Sequence, residues 1–139
     1  MPKVLPATGD GRRFELHAFV CTSDSSCAID GPAKEIHAWL KESLRASGRK
    51  EEIRVNKAGC LGQCGHGPMM VVYPEGIWYC HLGLDDAQEI WYKHIVGGVA
   101  VARLRYATPN GGTNVLPRVP GEAPDRSSPW YQPCSRCPT

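Results

Sequence analysis

The sequence predicts an α/β fold, with a four-stranded sheet packed against two main helices and a proline-rich arm behind them. Three observations predict it. Phe14, Leu16, Ala18 and Val20 alternate with more polar neighbours, as in a strand with one buried face. Ile36, Leu40 and Leu44 recur every four residues, as on the buried face of a helix. Seven prolines, from Pro109 to Pro138, fall in the last 31 residues, where neither a helix nor a central strand accommodates them. A chain of 139 residues has room for one such domain with a real core and some tail left over.

Each element follows from a local pattern. The first 13 residues are turn-rich and form an N-terminal extension. Strand one covers residues 14–21 and ends on Cys21. Pro32 suits a first helical turn and Gly48 terminates the run, so helix one covers residues 32–47. Ile53, Arg54 and Val55 form a second short strand, which leads into a loop punctuated by Gly59, Gly62, Gly65 and Gly67. Residues 69–73 and 77–82 are apolar runs joined by Pro74, Glu75 and Gly76, a pattern that favours a type I turn between antiparallel strands. Asp85 can cap a last helix on which Ala87, Ile90, Trp91 and Ile95 share a face, and Gly97 and Gly98 end it. The order β, α, β, loop, β, β, α is that of a thioredoxin-like domain over residues 14–105. Residues 106–139 then form a Pro/Gly-rich C-terminal arm, outside the fold or laid across its surface.

Charge and cysteine content narrow the function classes. The formal charge of +2 hides an uneven division, −3 over residues 15–98 and +5 over the rest. The basic ends scatter single arginines among prolines and form no stripe with aromatic platforms, which argues against nucleic acid as a partner. No segment is apolar enough for a signal h-region or a membrane span, so the expected location is cytoplasmic. Thiols stay reduced there, and seven cysteines then point to ligands or a redox site and away from a disulfide framework.

Four of these cysteines are arranged in two pairs. Cys21 stands at the end of strand one and Cys27 just ahead of helix one, while Cys60 and Cys64 share the glycine-rich loop. Four thiolates suit a tetrahedral zinc or a [2Fe-2S] cluster. Only Cys60 and Cys64 match the short spacing common in structural zinc sites, because five residues separate Cys21 from Cys27. The same five residues spoil a redox-active C-x-x-C, leaving dithiol exchange as a weaker alternative. The loop glycines let backbone N–H groups approach sulfur, and Lys57 adds positive charge; both favour a reduced, more negative cluster.

The residues resemble the thioredoxin-like [2Fe-2S] ferredoxins, also called Shethna-type. The resemblance runs over residues 14–104 and is close in Val55-Asn56-Lys57-Ala58-Gly59-Cys60-Leu61-Gly62-Gln63-Cys64, in Gly67-Pro68 and in Val71-Val72-Tyr73-Pro74-Glu75-Gly76-Ile77-Trp78-Tyr79. It implies a single [2Fe-2S] cluster ligated by Cys21, Cys27, Cys60 and Cys64, in a homodimer that shuttles single electrons from a donor reductase to an acceptor enzyme. Between Cys21 and Cys27 the segment Thr22-Ser23-Asp24-Ser25-Ser26 is several residues shorter than in most members. No dinucleotide fingerprint is present, so the chain is not expected to act as an enzyme by itself. The alternative is a fixed electron-transfer or structural subunit whose arm clamps a partner.

The other chemistry-bearing residues have plainer expectations. Cys80 is expected to be a buried, inert strand cysteine. Cys134 and Cys137 form a C-x-x-C pair that needs two more ligands from elsewhere to hold a metal. His66, between Gly65 and Gly67, is expected to be a solvated loop histidine, and His17, His37, His81 and His94 show no ligand spacing. Trp39, Trp78 and Trp91 are expected to pack, and Asp85, Asp86 and Glu89 to serve the last helix dipole.

Overall fold

The structure, a computed structural model, describes residues 13–23, 27, 31–63, 66–108, 111–112, 114, 131–134 and 136. The strands are β1 (Leu16–Cys21), β2 (Ile53–Ala58), β3 (Met70–Tyr73) and β4 (Ile77–Tyr79), and the α-helices are α1 (Ala33–Ser47) and α2 (Leu84–Ile90). They form one mixed sheet in the order β2-β1-β3-β4. β1 runs parallel to β2, from Leu16 opposite Ile53 to Cys21 opposite Ala58. β3 is antiparallel to both β1 and β4. The expected four-stranded sheet and two helices are thus present.

Alternation along β1 buries Leu16, Ala18 and Val20 under the helices and leaves His17 and Phe19 on the opposite face. The α1 stripe of Ala33, Ile36, Leu40 and Leu44 closes the core on that side. Burial of one such aliphatic side chain contributes about 1.5–3 kcal/mol. Pro32 occupies the N-cap position, and Gly48 ends α1 at φ 72° with its N–H directed at the Arg45 carbonyl. That left-handed conformation suits glycine.

Several elements differ from expectation: β1 starts at Leu16, two residues late, and β4 stops at Tyr79, short of residue 82. β2 continues past Val55 to Ala58, because β1 offers a parallel partner over the whole length. The turn after β3 closes with the Gly76 N–H donating to the Val72 carbonyl at 2.9 Å, one residue wider than a type I turn. α2 begins at Leu84, with the Asp86 carboxylate accepting from the Gly83 N–H at 2.9 Å, and passes into a π-helical turn at Trp91–Val96. The wider turn keeps Trp91 and Ile95 in the core and brings His94 onto Tyr79.

β4 is not left as a bare edge. The Cys80 N–H donates to the Leu104 carbonyl, and the Tyr106 N–H donates to the Trp78 carbonyl at 2.7 Å. The chain leaving the helical half therefore covers the strand, running antiparallel to it with Arg105 opposite Tyr79. Arg103 fastens this return by donating to Glu89 and Asp86, and its guanidinium holds the Glu89 carboxyl below the usual carboxylate range.

Candidate metal centre

Parallel pairing is what brings the two cysteine segments together. β1 and β2 end side by side, with Cys21 opposite Ala58, and the Thr22 N–H donates to the Ala58 carbonyl at 3.0 Å. Cys60 follows in the loop beyond β2. The Cys21 N–H is in turn fixed on the Met69 carbonyl at 3.1 Å, so the end of β1 is held from both sides. Cys27 stands one turn ahead of α1, its carbonyl accepting from the Gly31 N–H at 3.2 Å. Cys21 and Cys27 are buried and Cys60 is exposed. Cys64, the fourth expected ligand, lies outside the described residues.

Two contacts bear on whether this donor set suits an iron–sulfur group. A Cβ added at Gly67 would meet the Cys27 Sγ at 2.6 Å, so the backbone of the glycine-rich loop is pressed against that thiol. The Gly62 N–H donates to the Cys60 Sγ at 3.4 Å, the kind of contact that stabilises a thiolate ligand. A [2Fe-2S] cluster is held by four thiolates in two pairs, one pair on each iron, and does not require all the sulfurs to converge on one point. Two buried thiols from one segment, an exposed thiol from the other, and glycine backbone against Cys27 and Cys60 fit that arrangement. Lys57 is exposed, and its charge is felt at His37, whose pKa is lowered first by burial and then by Lys41 and Lys57.

Sequence patterning missed the surroundings of His66. This histidine is fully buried and is not solvated. Tyr131 from the arm stacks on its ring at 5.0 Å and 18°, and the Asn114 Nδ2 lies 3.0 Å from its Nε2. Asn114 also exchanges hydrogen bonds with the Gln132 backbone, and the Tyr106 hydroxyl donates to the Gln63 Oε1 at 2.7 Å. The described arm residues are therefore laid across the domain, on the loop that carries Cys60. Cys80 is buried as expected but just beyond β4, with its Sγ 3.8 Å from that of Cys134. His81 has a φ of 50°, and among the described residues it is the non-glycine residue in the left-handed region. Aromatic spacing in a proline-rich tail was the signal available for this docking, and it does not say where a tail docks.

No family model matches the chain. Among curated proteins, the 2Fe-2S ferredoxin of Clostridium pasteurianum is 40% identical over 98 residues, spanning 64% of this chain and 93% of that protein. The 2Fe-2S ferredoxin of Aquifex aeolicus (strain VF5) is 34% identical over 95 residues, spanning 63% and 86%. Among solved structures, that of the wild-type thioredoxin-like [2Fe-2S] ferredoxin from Aquifex aeolicus superposes with a TM-score of 0.62 at 33% identity. It covers 68% of this chain and 97% of the other.

Proposed function

Because the chain belongs to the family of thioredoxin-like [2Fe-2S] ferredoxins, we propose that it is a one-electron carrier whose single cluster is held by Cys21, Cys27, Cys60 and Cys64. The observation that carries the ligand assignment is the parallel register of β1 and β2, which sets Cys21 beside the strand end that leads to Cys60. When bound, a [2Fe-2S] cluster takes up one electron and gives it back, adding and removing one negative charge.

The chain's own residues supply what that exchange needs. Burial of Cys21 and Cys27 keeps water from one side of the site, and exposure of Cys60 leaves the other side open to a docking protein. The Gly62 N–H offsets negative charge on Cys60 without a mobile cation. The loop glycines let the backbone approach sulfur closely, most tightly at Gly67. Electrons would arrive from a reductase and leave to an acceptor enzyme, with no substrate transformed by this chain.

The proposal divides the chain into an extension (residues 1–13), the ferredoxin domain (14–105) and an arm (106–139), in a cytoplasmic homodimer. No helix among the described residues is long and apolar enough to cross a membrane. A dimer has a surface to use in the sheet face opposite the helices, where His17 stacks on Phe19 and Phe19 meets Tyr73. The described arm residues bind their own domain, which favours a free carrier over a fixed subunit that clamps a neighbour.

The test is electron paramagnetic resonance of the dithionite-reduced protein, in wild type and in Cys→Ala variants. One spin per chain is expected, lost in C21A, C27A, C60A and C64A and retained in C80A. Retention of the full signal in any of the four ligand variants would remove that residue from the set.

A further inference from the structure

Beyond the proposed electron-transfer site, the end of the sheet gathers a second set of metal-binding side chains. The ligand atoms of His66, His81 and Cys134 all lie within 4.8 Å of one another. Cys80 extends the group, because its Sγ is 3.8 Å from the Cys134 Sγ. We propose that Cys80, Cys134, His66 and His81 form a Cys₂His₂ site for one zinc ion, which fastens the C-terminal arm to the ferredoxin domain.

Distance, charge and burial favour one zinc ion. Two thiolates about 2.3 Å from a tetrahedral zinc are separated by about 3.8 Å, the spacing of Cys80 and Cys134. The ligand atoms of His66, His81 and Cys134 converge closely enough for a single ion, unlike the two pairs a two-iron cluster spans, and Cys80 joins them beside Cys134. Two thiolates neutralise the dication and two neutral imidazoles add no charge, so the loaded site is electrically balanced. That matters because Cys80 and His66 are fully buried and Cys134 is 6% exposed, where an unbalanced charge is costly. Two thiolates and two imidazoles in a closed setting are the donor set of structural zinc.

The surroundings hold these ligands in place. The His81 N–H donates to the His66 carbonyl at 2.8 Å, tying together the backbones of two ligands distant in sequence. His81 adopts its left-handed φ of 50° at this point, a conformation uncommon for non-glycine residues. Arg136 donates to the carbonyls of both Cys80 and His81, so the arm grips the β4 exit just beyond Cys134.

The consequence is mechanical. His66 belongs to the loop that carries Cys60, Cys80 and His81 follow β4, and Cys134 belongs to the arm. One ion joins all three, so zinc would hold the arm down and stiffen the loop beside the electron-transfer site.

The experiment uses full-length protein purified under argon without chelators and equilibrated with zinc sulfate, then freed of loosely bound metal by gel filtration. Iron, acid-labile sulfide and zinc are assayed, and zinc K-edge X-ray absorption is recorded. The expected result is about one zinc per chain beside the iron, with two sulfurs at about 2.3 Å and two nitrogens at about 2.0 Å. C134A and H81A should lose the zinc, keep iron and sulfide, and become several-fold more sensitive to protease within the arm. Protein with iron and sulfide but no zinc would overturn this site while leaving the electron-carrier reading intact. A shell of four sulfurs would overturn it too, by assigning the zinc to the other cysteine loops. So would zinc retained in both variants. The absorption shell reads the ligands without any substitution, so a variant that fails to fold does not decide the matter.

Discussion

Gly67 has no room for a side chain, since its Cβ would lie 2.6 Å from the Cys27 Sγ and 3.0 Å from the Cys27 Cα. G67A is expected to force the loop off Cys27, costing roughly 1–3 kcal/mol and much of the iron; iron assay and thermal unfolding read both. Tyr79 is the hub of a buried relay: the Val101 N–H donates to its hydroxyl, which lies 2.7 Å from the His94 Nδ1, while the His94 Nε2 meets Glu75. Y79F leaves two buried groups without that hydroxyl and should cost about 1–3 kcal/mol in denaturant unfolding. His37 gives a pH dependence. Its folded pKa is lowered by burial and by Lys41 and Lys57, so the unfolded chain binds the proton more tightly. This contribution is present in full above the unfolded value of about 6.5 and is lost as pH falls through it toward the folded value. H37Q should flatten the stability profile in that window. At this scale the sequence made Cys21, Cys27 and Cys60 visible, because glycine and strand-end context surround them. It left His66 looking solvated, because the residues that bury it, Asn114 and Tyr131, are remote in sequence and carry no periodic signal.

Among the elements, α1 was the most legible. Ile36, Leu40 and Leu44 repeat at the helical period, Gly48 stops the run, and the helix spans Ala33–Ser47. L40A empties a fully buried position between helix and sheet, and the expected loss is about 2–5 kcal/mol in equilibrium unfolding. β2 was legible only as far as Val55, because Asn56 and Lys57 break the apolar pattern and the strand persists through backbone pairing to β1. The π turn at Trp91–Val96 was not legible, because its apolar residues also satisfy an α-helical pattern. The turn holds Trp91 and Ile95 in the core and sets His94 on Tyr79.

In the whole molecule, the described arm residues return to the end of the sheet where the cysteine loops emerge. Composition announced the arm through its prolines but not its destination, which rests on Asn114 pairing with Gln132 and on Arg136 reaching the β4 exit. N114A removes contacts to Gln132 and His66 together. It should speed amide hydrogen exchange in residues 60–67 while leaving exchange in α1 unchanged, as mass spectrometry of peptides would show. At this scale the molecule is the carrier of a [2Fe-2S] cluster that accepts one electron. Iron and acid-labile sulfide content, with visible absorption before and after dithionite, on protein purified without air, reads the cluster itself. About two irons and two sulfides per chain, with a red-brown spectrum that bleaches on reduction, is the predicted result. Zinc alone in the cysteine loops, or thiols without iron and sulfide, would contradict it.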